Sequence, residues 1–318
     1  MVYYFAFDLD ETLGQLHTPY YFLRELLPER YRVTEREERG IHVPSEGLRE
    51  VLHEIYKIFV KLVAKQELSA APLGILRPGI LNALRDMIHL KKSGLFGGAI
   101  IYSNNDSPPV LDFAKDIIEA ALGEPVFCDV IYRTHPIRNG IDFNAERTIN
   151  DAKKTWEALK LILETGACGA TNVQSEEVFF FDDLKHPDLM GALPPGHYIH
   201  VFPYSFRTSF DRLGDLYLRA IHDSSFAQNS THEDEFRRYL SSLSNGNTNE
   251  EWTMHTHLRK YKDWTKPTNA ADKIPPPPDA SAIRMRDLMR GLVPRGGGGR
   301  RTRKVRIGRK TRRYNRRR

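Results

Sequence analysis

The sequence predicts an α/β protein with a central, mostly parallel sheet. Three short apolar runs carry that expectation: residues 2–7, 97–102 and 177–181, each fit for a buried strand and each ending in polar residues. Between them, apolar residues recur at helical spacing, the alternation expected when helices connect parallel strands. Ligands of such sheets bind beyond the carboxyl ends of the strands. The polar stops Asp8-Leu9-Asp10-Glu11-Thr12, Ser103-Asn104-Asn105-Asp106 and Asp182-Asp183 therefore predict one shared functional edge.

The first run, Val2-Tyr3-Tyr4-Phe5-Ala6-Phe7, leads directly into paired carboxylates. A period of two places Asp8 and Asp10 on one side if the strand continues to Asp10. Carboxylates that close repel each other unless a cation or a shared proton compensates. Mg²⁺ suits such a pair, because it takes few protein carboxylates and fills its other positions with water and phosphate oxygens.

Leu48, Val51, Leu52, Ile55, Ile58, Phe59 and Leu62 predict an amphipathic helix over about residues 45–65. Residues 14–75 read as a helical cap inserted after the first strand, with Tyr20, Tyr21, Phe22 and Tyr31 in the cap core rather than forming a base-stacking platform. Pro72, Gly74, Pro78 and Gly79 then punctuate the chain, and Ile80, Leu84, Met87 and Ile88 mark the helix before the second strand. Lys153 and Lys154 open a further helical pattern with Ala152, Trp156, Leu159 and Leu163, and either lysine could reach a phosphate. A last strand is expected near Tyr198-Ile199-His200-Val201, and a helix over about residues 210–221. The core of the α/β domain is thus residues 1–13 and 76–222, the part that would carry any site at the strand ends. Residues 223–299 read as a low-complexity linker, with a polyproline spacer at residues 275–278.

These motifs resemble those of haloacid-dehalogenase-like (HAD) phosphatases. Asp8-Leu9-Asp10-Glu11-Thr12 resembles the first motif, Ser103 the second, Lys154 the third and Asp182-Asp183 the fourth. The wording Asp-Leu-Asp-Glu-Thr-Leu is similar to phosphatases acting on the carboxy-terminal repeat of RNA polymerase II, and some polynucleotide phosphatases share related wording. The resemblance implies a three-layer Rossmann-like fold and an Mg²⁺-dependent phosphatase working through an aspartyl-phosphate. It implies Asp8 as nucleophile and Asp10 as general acid and base. Thr12, Ser103, Asn104 and Lys154 would contact phosphate, and Asp8, Asp10, Asp182 and Asp183 would hold the metal. The substrate would be a phosphoprotein or, alternatively, a nucleic-acid end. An inactive HAD-fold protein that binds or packages nucleic acid is the reading from another class.

Charge divides the chain sharply. Against 41 acidic residues it has 47 Lys and Arg, and twelve of those basic residues fall in residues 300–318, which hold no acid. The rest of the chain is therefore net acidic. Such a block repels itself and buries almost nothing, so a disordered tail is expected. It should bind nucleic acid or another polyanion with strong salt dependence, or serve as a nuclear or nucleolar address. No run of eighteen apolar residues and no secretory signal is visible, so an intracellular protein without membrane insertion is expected. Cys128 and Cys168 accordingly read as reduced core thiols. His255 and His257 lack Cys or acidic partners at metal spacing and read as surface residues.

Overall fold

The structure is a computed structural model that describes residues 1–26, 44–139, 154–228, 232, 234–236, 238–239 and 277–292. Tyr31, Ala152, Lys153, His255, His257 and the basic tail at residues 300–318 lie outside the described residues.

Five strands form an all-parallel open sheet of the Rossmann-like α/β kind: β1 (Tyr3–Phe7), β2 (Phe96–Tyr102), β3 (Asp129–Ile131), β4 (Val178–Asp182) and β5 (Tyr198–His200), in spatial order β3-β2-β1-β4-β5. β1 lies at the centre because its apolar run can be buried on both faces and at both edges. Its period of two sends Phe5 and Phe7 into one apolar layer with Ile101 and Phe181, and Ala6 into the other with Ile100 and Phe180. The first layer is covered by α1 (His17–Leu26), α2 (Glu46–Glu67), α3 (Ile80–Lys92), α4 (Pro108–Leu122) and α8 (Phe210–Asp223). The second is covered by α6 (Trp156–Thr165) and α7 (Pro187–Ala192). A short α5 (Pro136–Asn139) follows β3.

α2, assigned to the cap in the sequence reading, packs on α4 and α8, and its Ile55, Phe59 and Val63 share one apolar cluster with the sheet. It is a layer of the core because its buried stripe meets aromatic partners there: Phe59 stacks on Phe22 and Phe113 and meets Tyr217 edge-on. α1 differs from α2, since its first turns border the cleft beside the loops that follow β1 and β2.

Two expectations are corrected. The linker assignment over residues 223–299 fails at α9 (Ala280–Leu292), which packs against α3 and buries Met285 and Met289 in the main core. Asp279 starts this helix by accepting from the Ala282 amide at 2.8 Å. Cys128 and Cys168, expected as separate thiols, form a disulfide with their Cα atoms 5.1 Å apart. Cys128 precedes β3 and Cys168 follows α6, and both sulfurs close over Gly98, where a Cβ would fall 2.7 Å from each. Sequence separation concealed that meeting. Among the described residues no helix is long and apolar enough to cross a membrane.

Candidate functional site

The strand order reverses direction at β1: the chain first adds β2 and β3 on one side, then β4 and β5 on the other. That switch opens a crevice between the loops leaving β1 and β4, the place where such sheets bind ligands. Asp8 follows β1 and Asp182 ends β4, so the two carboxylates straddle it. Phe7 is in register with both Phe181 and Ile101, which sets Asp8 level with Asp182 on one side and with the end of β2 on the other.

Lys154 lies between the acids. Its Nζ donates to Asp8 Oδ1, and to Asp182 Oδ2 at 2.7 Å. Rather than opening a helix, Lys154 precedes Thr155, the N-cap of α6, whose side chain accepts from the Ala158 amide. That position lets its side chain run into the crevice, over the Tyr102 and Phe180 rings at 5.6 and 5.5 Å. Asp182 also meets His186 Nε2 at 3.1 Å and accepts from the Leu184 amide at 2.7 Å.

Asp183 is held from the β1 loop. Thr12 Oγ1 donates to its carboxylate at 3.2 Å and accepts from its amide at 3.0 Å. Thr12 therefore fixes the two loops to each other. Asp8, Asp182 and Asp183 are all buried, and one carboxylate oxygen from each lies within 4.8 Å of the others. These three can hold a metal ion, and their hard oxygens suit a hard divalent cation.

Asp10, expected as a fourth ligand, stands apart from that group. Strand geometry ends at Phe7, and Asp10 instead bridges to Gly14 in a tight turn. Its carboxylate accepts from Asn105 Nδ2 at 2.8 Å, and the Asn105 amide in turn donates to Ser103 Oγ at 3.1 Å. Asn105 thus links the β1 and β2 loops. Asn104 Oδ1 accepts from Arg138 at 2.9 Å.

Burial governs the charges. It pushes Asp8 up to about 7, opposed by Lys154. Asp10 is raised by burial against the Asn105 hydrogen bond, and Asp183 by burial and the Asp182 charge. Burial would raise Asp182 too, but His186 and Lys154 outweigh it and hold that carboxyl below its ordinary value. Burial alone would lower Lys154, yet its two carboxylate partners raise it, so the ammonium stays charged.

Two buried arginines went unnoticed in the sequence. Arg77 Nε donates to Thr12 O at 2.7 Å, Nη2 donates to Glu11 O and to Phe202 O (2.6 Å), and Nη1 pairs with Asp279. Glu11 adopts a positive φ of 61°, an unfavourable geometry for a residue with a Cβ, and the Arg77 contacts help hold it there. Gly14 closes the same turn, and a Cβ on it would meet Ile75 O at 2.2 Å. Arg138 Nη1 donates to Ser103 O at 2.9 Å and lies over the Tyr102 ring. Neither arginine sits in a recognisable motif, whereas His186, four residues past Asp182, could have been read as its neighbour.

Beside Asp10 the edge opens into a cleft of about 440 Å³. Tyr20 and Tyr21, expected in a cap core, are half-buried and line it, while Phe22 is fully buried. No family model matches the chain, and no curated protein or solved structure matches it either.

Proposed function

We propose that the protein is an Mg²⁺-dependent phosphatase that hydrolyses a phosphomonoester through an aspartyl-phosphate on Asp8. The observation that carries this reading is the buried cluster Asp8, Asp182 and Asp183 at the carboxyl ends of adjacent parallel strands, with Lys154 bridging Asp8 and Asp182. Three buried carboxylates against one ammonium are under-neutralised, and a divalent cation supplies what is missing. The resemblance of the four motifs to HAD phosphatases points the same way.

When bound, Mg²⁺ offsets the repulsion among these acids and stabilises charge on the phosphoryl oxygens. An Asp8 carboxylate oxygen attacks phosphorus, the ester P–O bond breaks, and the leaving oxygen takes the Asp10 proton. Asp10 then accepts a proton from water, whose oxygen attacks phosphorus. The bond from phosphorus to Asp8 breaks, releasing phosphate and restoring the carboxylate. Lys154 and the Ser103 hydroxyl hold the phosphoryl oxygens, a task that is mostly positional and electrostatic. Ser103 Oγ accepts from the Asn105 amide, which leaves its own proton to donate.

The test is turnover of p-nitrophenyl phosphate by the full chain, with and without Mg²⁺, for wild type and Asp8→Asn. Loss of the nucleophile should lower kcat by at least ~10³-fold while circular dichroism stays native. Near-wild-type turnover by the variant would exclude Asp8 as nucleophile.

A further inference from the structure

The cleft beside Asp10 is assembled from three separate segments. His17, Tyr20 and Tyr21 come from the start of α1, Arg133 from the turn after β3, and Arg207 from the approach to α8. The Arg133 amide donates to Asn105 O at 2.9 Å, which ties this wall to the residue that holds Asp10. Among the described residues, neither Arg133 nor Arg207 has a carboxylate in ion-pair contact. The rings form a connected aromatic wall, with Tyr21 meeting His17 at 5.0 Å and Tyr20 at 5.1 Å, both edge to face. Burial, with the Arg207 charge behind it, lowers the His17 pKa, so that ring is a neutral aromatic surface at pH 7.

If Asp10 protonates the leaving oxygen, the space it lines receives the body of the leaving group; the inference rests on the phosphatase reading in that respect. The geometry points to a leaving group that is a nucleotide unit with a second phosphate, namely the phosphorylated end of a single-stranded nucleic acid. A guanidinium matches phosphodiester oxygens in a two-pronged contact, and an unpaired base stacks on aromatic side chains. The volume lies within the range of pockets that bury a small-molecule-sized unit. Asp10, Glu11 and Asp106 share the lining with the two arginines, which disfavours a densely anionic body and limits the match to a single flanking phosphate held at the arginines. The twelve basic residues at positions 300–318 supply the longer-range attraction that a polyanionic strand would feel.

The experiment uses the full chain and two dinucleotides, one phosphorylated at its 5′ end and one at its 3′ end. Against p-nitrophenyl phosphate, at least one dinucleotide should be preferred by ~10-fold or more in kcat/KM. Arg207→Gln, at an exposed position that the fold does not need, and the double variant Arg133→Gln/Arg207→Gln should each reduce that preference. The double variant should reduce it by about tenfold or more, the scale of one charged hydrogen-bonded contact. Equilibrium binding of the preferred dinucleotide, measured in the Asp8→Asn background where turnover is blocked, should weaken in parallel. A preference unmoved by either variant would overturn the inference, as would a phosphoserine peptide that outcompetes both dinucleotides. Arginine-dependent binding without hydrolysis of any ester would support the cleft assignment while overturning the phosphatase reading.

Discussion

After β1 the chain turns through Asp10 to Gly14, and after β2 it runs from Ser103 to Ser107; each loop is braced by a buried arginine that donates to main-chain carbonyls. Arg138 reaches back 35 positions to Ser103 O and 34 to Asn104, so the β2 loop is held by its own neighbourhood. Arg77 reaches Glu11 O and Thr12 O across 66 and 65 positions, and its charge partner Asp279 lies 202 positions away at the start of α9. The loop that bears Asp8 and Asp10 is therefore tied to the far end of the described chain, whereas the described contacts from Arg138 to the Ser103 loop span about half the distance or less. The Arg77–Asp279 contact makes the β1 loop sensitive to remote sequence.

Replacing each arginine by methionine tests the asymmetry most strongly. Arg77→Met strands three carbonyls and leaves Asp279 without its partner, and losses of this kind cost about 3–5 kcal/mol. Arg138→Met removes hydrogen bonds to the Ser103 carbonyl and the Asn104 side-chain oxygen, and should cost on the order of 2 kcal/mol. Urea unfolding of both variants measures the order. Equal losses would show that the β1 loop draws no extra stability from the distant contact.

Asp279→Asn makes a narrower cut. Asparagine still caps a helix well, so α9 should remain docked. The charge facing Arg77 disappears, and because Asp279 is partly exposed the loss should be about 1 kcal/mol. Catalytic turnover should fall with it if the Glu11 conformation relaxes. A variant with unchanged stability and unchanged kcat would show that the carbonyls alone hold Arg77.

The sequence made one half of this site readable and hid the other. Asp8, Ser103 and Asp182 each stand directly after or at the end of an unbroken apolar run, so a short window suffices to place them at strand ends. The helical pattern points to Lys153 and Lys154 alike, and only the resemblance to the third motif chooses Lys154. Arg77 could not be singled out, because its partners are main-chain carbonyls and any residue type supplies those. α9 escaped for a different reason: Ala282, Met285 and Met289 form a thin apolar stripe between a proline run and a basic segment. The turn at Asp10 also defeated the alternating-strand expectation, since a period-two pattern cannot register where extended backbone stops.

The smallest expected effect concerns the support behind the β1 loop. Glu67, at the end of α2, accepts from the Ile75 amide at 2.9 Å, and Ile75 O accepts from the Gln15 amide at 2.8 Å, next to Gly14. Burial pushes this carboxyl from 4.5 to about 7, against the Ile75, Leu76 and Gly74 amides and the Arg212 charge. Tyr204 also faces it, and donates to Gly74 O at 2.9 Å. A carboxyl whose folded value is raised binds more protons in the native state across that window, so its contribution to stability is complete below pH 4.5 and is lost as pH rises through about 7. Wild type should therefore lose stability relative to Glu67→Gln between pH 5 and pH 8, where the amide keeps an acceptor for Ile75 without a charge to bury. Because Glu67 retains some solvent contact, the relative change should be on the order of 1 kcal/mol. Urea unfolding of both proteins at the two pH values reads it directly. A constant difference between them would place the Glu67 carboxyl in its ordinary range and leave its support of the β1 loop, through Ile75, independent of pH.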